Sequence, residues 1–128
     1  MKVQEAVMDD RFDEMAEILD DAVDALPQEY LNGLNGGVLF SRKAMHDEEF
    51  NELYILGHYR VMGTVRAIEL YYGSFMALFG HLPHEDLAYQ LKETLYHELT
   101  HHLETLAGEN DLELDDLAFM ERYRRENE

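Results

Sequence analysis

Residues 83–108, PHEDLAYQLKETLYHELTHHLETLAG, decide how the rest of the chain is read. Pro83 suits the first turn of a helix, where a missing N–H is tolerated, and Gly108 supplies a stop. Glu85 and Asp86 suit the positive end of the helix dipole. Leu87, Leu91, Leu95, Leu99, Leu103 and Leu106 recur at helical spacing and mark a side to be buried. At about 100° per residue, Leu95, Leu99 and Leu106 fall nearly opposite His97 and His101. The two histidines therefore stand off the core face. His102 lies toward the apolar side and reads as a structural, hydrogen-bonded histidine.

Within this helix His97-Glu98-Leu99-Thr100-His101 is an HExxH sequence. Residues at i and i+4 share a helix face one turn apart, so two imidazoles there can hold one Zn²⁺. Glu98 falls about 100° around the helix, where it can act as general base toward water at the metal. A catalytic zinc expects a third protein ligand. Glu104, three residues after His101, shares the face. Asp111 follows Gly108, where the chain could fold back. Both stay open, against the plainer reading of each as a solvated acid in an acidic stretch.

Outward from the helix, Asp9 to Leu26 reads as an amphipathic helix with Phe12, Met15, Leu19, Val23 and Leu26 on one side, capped by Asp9 or Asp10 and stopped by Pro27. Asn32 to Gly37 is a loop by its turn chemistry. Val38 to Phe40, pieces of Leu53 to Val65 broken at Gly57 and Gly63, and Ala67 to Tyr72 suit strands. Ser74 to Phe79 suits a short helix capped by Ser74, and Leu114 to Arg125 another short helix. No repeat or linker divides the chain, so residues 1–128 read as one domain with an acidic N-terminal helix and an acidic C-terminal tail.

Composition narrows the function. Among 128 residues, 28 acids against 10 bases leave a net charge of −18. Nucleic acid and anionic membrane surfaces are excluded as partners, because a phosphate-tracking face needs a positive stripe. The absence of cysteine removes disulfides, thiolate metal sites and a cysteine nucleophile. No apolar run approaches a membrane span and no signal peptide opens the chain, so a cytoplasmic protein is expected.

The helix ending Asp24-Ala25-Leu26-Pro27, the segment Leu56-Gly57-His58-Tyr59, Ile68 to Gly73 before Leu78-Phe79-Gly80, and His97-Glu98-Leu99-Thr100-His101-His102 together resemble the small bacterial zincin-like metallopeptidase family. The resemblance runs over about residues 12–117. It implies an α+β, minimal zincin-like fold: a small mixed sheet packed with helices, and a metal at the HExxH helix. It also implies that the strand at Ala67 to Tyr72 edges the cleft, so that a peptide or protein substrate could dock along Ile68–Tyr72 by strand addition. The family pattern places a Gly three residues after the second zinc histidine and an acidic ligand three residues beyond it. Here position 104 is Glu and the Gly-x-x-Asp comes four residues late, as Gly108 to Asp111.

The expected function is a zinc-dependent peptidase, with His97 and His101 as ligands, Glu98 as general base, and Glu104 or Asp111 completing the site. Tyr71, Tyr72 and Tyr123 are candidate oxyanion partners. The alternatives are a non-catalytic metal-binding module, or a pseudoenzyme whose acidic surface binds a basic partner protein.

Overall fold

The computed structural model describes residues 10–108, together with Arg122 and Arg125. In chain order come α1 (Phe12–Asp24), a 3₁₀ turn (Gln28–Leu31), β1 (Gly37–Ser41), β2 (Met45–His46), β3 (Tyr54–Ile55), β4 (Gly57–Met62), β5 (Val65–Tyr71), α2 (Tyr72–Phe79) and α3 (His84–Gly108). The expected helix at Leu114 to Arg125 lies outside the described residues, apart from those two arginines. None of the described helices is long and apolar enough to cross a membrane.

The fold is α+β, with a small mixed sheet in the order β1-β5-β4. β5 runs parallel to β1 (Ile68 beside Val38) and antiparallel to β4 (Ile68 beside Tyr59). β2 and β3 form a separate two-residue ladder.

The edge position expected for Ile68–Tyr72 is therefore corrected. β5 is the central strand, bonded on both sides, and offers no free edge to a peptide. The reason is burial. Ala67, Ile68, Leu70 and Tyr71 are all buried, and a strand apolar on both faces belongs in the sheet interior. The edge beside α3 is β4. Tyr72 is not a strand residue but opens α2 directly after β5.

α3 organises the core as its leucines require. Leu87, Leu91, Leu95, Leu99 and Leu103 are all but fully buried. They pack with Met15, Ile18 and Leu19 of α1 and with Ile68 and Leu70 of β5. Burying side chains of this size supplies about 1.5–3 kcal/mol each, an upper bound set by the unfolded reference.

Local chemistry holds the rest. The Phe12 N–H donates to the Asp10 carboxylate at 2.9 Å, so Asp10 does satisfy an early amide of α1. Ser74 is not a cap. It sits fully buried inside α2, where its hydroxyl accepts the Met45 N–H at 2.9 Å and faces the Met45 carbonyl at 3.2 Å, tying β2 to α2. Gly63 makes the β4–β5 turn with φ +62°. Gly57 is no turn but the first residue of β4, where a Cβ would lie 3.1 Å from the Thr94 methyl of α3. The strand can approach the helix that closely because glycine has no side chain.

Candidate metal and peptide groove

The histidines of α3 have separate fates. His102 is fully buried. Its Nε2 lies 2.9 Å from the Asn32 carbonyl and its Nδ1 lies 2.8 Å from the Tyr59 hydroxyl. A carbonyl only accepts, so Nε2 carries the proton and Nδ1 accepts from tyrosine. This structural histidine, as expected, bolts β4 to α3 and to the loop before β1.

His97 and His101 face outward. Both are exposed, and their Nε2 atoms stand 3.2 Å apart. Two nitrogens bonded to one tetrahedral zinc at ~2.0–2.1 Å lie about 3.3 Å apart, so the pair fits two ligand positions of such a cation. Glu104 shares the face and is exposed, but its carboxylate lies 3.4 Å from Nδ1 of His101, on the far side of the ring from the paired nitrogens. Among the described residues, no set of three His, Asp or Glu side chains converges as a metal site. Asp111 lies outside the described residues.

Between the two histidines in sequence, Glu98 turns inward and is buried at 9 % exposure. Burial pushes its carboxyl above the usual carboxylate range. His97, His101, His58 and the Tyr59 backbone N–H, which the carboxylate accepts, pull the other way, and burial outweighs them. A carboxylate with a raised pKa beside a histidine pair has the character of a general base.

β4 forms the opposite wall. The Tyr71 N–H donates to the Leu56 carbonyl at 2.9 Å, so the backbone groups of Leu56 and, by alternation, His58 point toward β5. Those of Gly57 and Tyr59 point away from the sheet, and the Tyr59 N–H meets Glu98 on that side. Two hollows join along this edge. One is lined by Gly57, His58, Tyr59, Glu98, His101, Glu104 and Thr105. The other is lined by Tyr54, Leu56, Gly57, Glu93, Thr94, His97 and Glu98. They share Gly57 and Glu98, so a groove runs along α3 with Glu98 at its middle.

The structure draws Tyr71 and Tyr72, two of the three expected tyrosines, away from this groove. Tyr71 is fully buried, with its hydroxyl 3.0 Å from His58 Nδ1 and accepting from Arg60 Nη2 at 2.9 Å. The Tyr72 hydroxyl accepts the Arg11 N–H at 3.0 Å, at the start of α1. Tyr123 lies outside the described residues. Tyr54 and Tyr59 line the groove instead, with Glu93 at the His97 end. Nothing in their spacing marks these residues, because the wall they form comes from a strand about forty residues away. A visible signal was Glu93, four residues before His97 on the same helix face.

No protein-family model matches the sequence, and no curated protein does. Among solved structures the chain is similar to a conserved hypothetical protein from T. thermophilus. The two are 30% identical with a TM-score of 0.67, over 77% of this chain and 98% of that one.

Proposed function

The chain belongs to the same family as that T. thermophilus protein, and we propose, on the geometry of its own site, that it is a zinc-dependent peptidase. The observation that carries the proposal is the Nε2 pair at 3.2 Å on the exposed side of α3, adjoining the buried, base-like Glu98. His97 and His101 would hold the cation. Glu104, already in contact with His101, is the proposed third ligand. The cation, when bound, supplies a Lewis acid that polarises a carbonyl.

The other steps belong to the chain. The outer edge of β4, unpaired among the described residues, would hold an extended peptide through the backbone groups of Gly57 and the Tyr59 carbonyl. Glu98 takes a proton from the attacking water and returns it to the leaving amine. Tyr54, at the His97 end, is the proposed partner of the developing oxyanion. A cytoplasmic location and zinc as the resident metal belong to the same proposal. A metal-binding module without turnover is the second reading, favoured by the position of the Glu104 carboxylate against Nδ1 rather than Nε2.

Protein purified without a polyhistidine tag tests the proposal by metal analysis. About one zinc per chain is expected in the wild type, and none in the His97→Ala/His101→Ala variant, which keeps its helix content because Ala is the better helix former. Full zinc occupancy in the double variant would sink the assignment.

A further inference from the structure

We propose that His58, set by the buried Tyr71 behind it, donates a hydrogen bond to the bound peptide, at the carbonyl that comes opposite Tyr59. This role rests on the peptidase reading above and deepens it. It names a substrate-binding residue of the same groove, and it gives Tyr71 a place there as a positioning residue.

The need for a donor comes from the strand edge. An extended peptide added to β4 meets the outward backbone groups of Gly57 and Tyr59. In a regular ladder the Tyr59 N–H takes one peptide carbonyl, but here that N–H is committed to the Glu98 carboxylate. The carbonyl opposite it gives up water without gaining a donor, which weakens the complex unless a side chain replaces the N–H. In the hollow at the His101 end, His101 is given to the cation and the Tyr59 hydroxyl lies 2.8 Å from His102 Nδ1. The side-chain donors left there are His58 and Thr105. Thr105 stands on α3, across the groove, whereas His58 adjoins Tyr59 on β4 itself.

The sheet also fixes which nitrogen of His58 carries the proton. The register places His58 beside Glu69, on the strand face shared with Arg60 and Tyr71. The Tyr71 hydroxyl lies 3.0 Å from His58 Nδ1, accepts Arg60 Nη2 at 2.9 Å, and lies 3.3 Å from Glu69 Oε1. It has one proton to give. A separation of 3.3 Å is long for an O–H···O bond, whereas 3.0 Å is ordinary between oxygen and nitrogen. Glu69 moreover has the Arg60 guanidinium as its partner, at 3.1 Å. The tyrosine proton therefore goes to Nδ1, and the neutral ring keeps its own proton on Nε2. With Nδ1 taken, Nε2 is the nitrogen left for the groove, and it offers a donor rather than a lone pair for the metal. Of these four side chains His58 alone lines the groove. Tyr71 is fully buried and reaches the groove only through it.

The test has two arms on the full-length protein. Long-range ¹H–¹⁵N spectra of the metal-free protein at pH 8 read the tautomer of His58. The Nε2–H form is expected in the wild type, and a mixture of both forms in Tyr71→Phe, which keeps the ring and its packing. The second arm measures cleavage of a mixture of internally quenched peptides by the zinc-loaded protein. His58→Ala should raise KM about tenfold with kcat and zinc content little changed, the mark of a hydrogen bond made equally to substrate and transition state. Tyr71→Phe should raise KM about threefold by loosening the tautomer, and His58→Gln, which retains an N–H donor, should recover part of the loss. A wild-type ring protonated on Nδ1 would overturn the proposal whatever the kinetics. An unchanged KM in His58→Ala, or a fall confined to kcat, would overturn it while leaving the peptidase reading intact. Failure of the wild type to cleave any of the peptides would instead remove that reading, and this role with it.

Discussion

Two clusters that pair glutamate with histidine, one at each end of α3, behave in opposite ways. At the N-terminal end, Glu14 accepts both Nε and Nη2 of Arg11, at 2.8 and 2.7 Å, and lies 2.6 Å from Nδ1 of His84. Arg11 Nη1 also reaches the carbonyls of Gly80 and Leu82, at 3.3 and 2.6 Å. Nearly every donor has an acceptor, and the Arg11 guanidinium holds the Glu14 carboxyl down to about 2. Thirteen residues further along, His97 and His101 turn their nitrogens toward each other in solvent, and burial holds Glu98 up. A satisfied Glu–His cluster ties α1 to the turn before α3. An incompletely satisfied one keeps its groups available for a ligand and a proton.

Glu98→Gln should sharpen the contrast most. Peptide cleavage should fall at least about 10²-fold, the usual contribution of a general base. Zinc affinity should change little, since Glu98 is not a ligand. A carboxyl raised in the folded state makes the folded protein lose stability as pH rises through that raised value. The metal-free variant should therefore melt higher than wild type at pH 7. Retained cleavage, or a lower melting temperature, would break the comparison.

The neighbouring histidines give the next largest effect. His102→Ala should cost about 2–3 kcal/mol, because the Tyr59 hydroxyl and the Asn32 carbonyl lose a buried partner. His101→Ala, at an exposed position, should stay within about 0.5 kcal/mol in metal-free protein. Denaturant titration of the two single variants reads both. Equal losses would mean that the groove histidines also hold the fold.

Arg11→Ala should cost about 1–2 kcal/mol, discounted because the cluster is partly exposed. Its pH signature is specific. Glu14 has a depressed folded value, so its contribution is complete above the ordinary carboxylate value of 4.5 and is lost as pH falls toward about 2. The variant should lose stability less steeply than wild type across that window. Melting curves at pH 2.5, 4 and 6 would show it, and parallel losses in both proteins would assign the clamp to packing instead.

Much of this molecule was legible in its sequence, for a local reason. The leucine repeat of residues 87–106 and the His97/His101 spacing are consequences of 3.6 residues per turn, which any helix over those residues must obey. The burial of Leu95 and Leu99, the exposure of both groove histidines, the satisfied His102 and the Gly63 turn all follow from that kind of rule. Ser74 suits a cap by residue type, but its hydroxyl serves Met45 on a distant strand rather than its own helix.

What the sequence by itself determined is the content of α3: which side is apolar, which side carries the histidine pair, and where Glu98 stands around the helix. The tertiary structure alone decided the partners. Alternation places residues on a face of a strand but does not say which strand lies beside it, so nothing in the chain itself opposed the edge place that the resemblance implied for β5, which is central, while β4 takes the edge over α3. The burial of Glu98 and the removal of Tyr71 from the groove follow from that one pairing. Contacts between residues forty or more apart are selected by the packing of the whole core, and no window of the chain contains them.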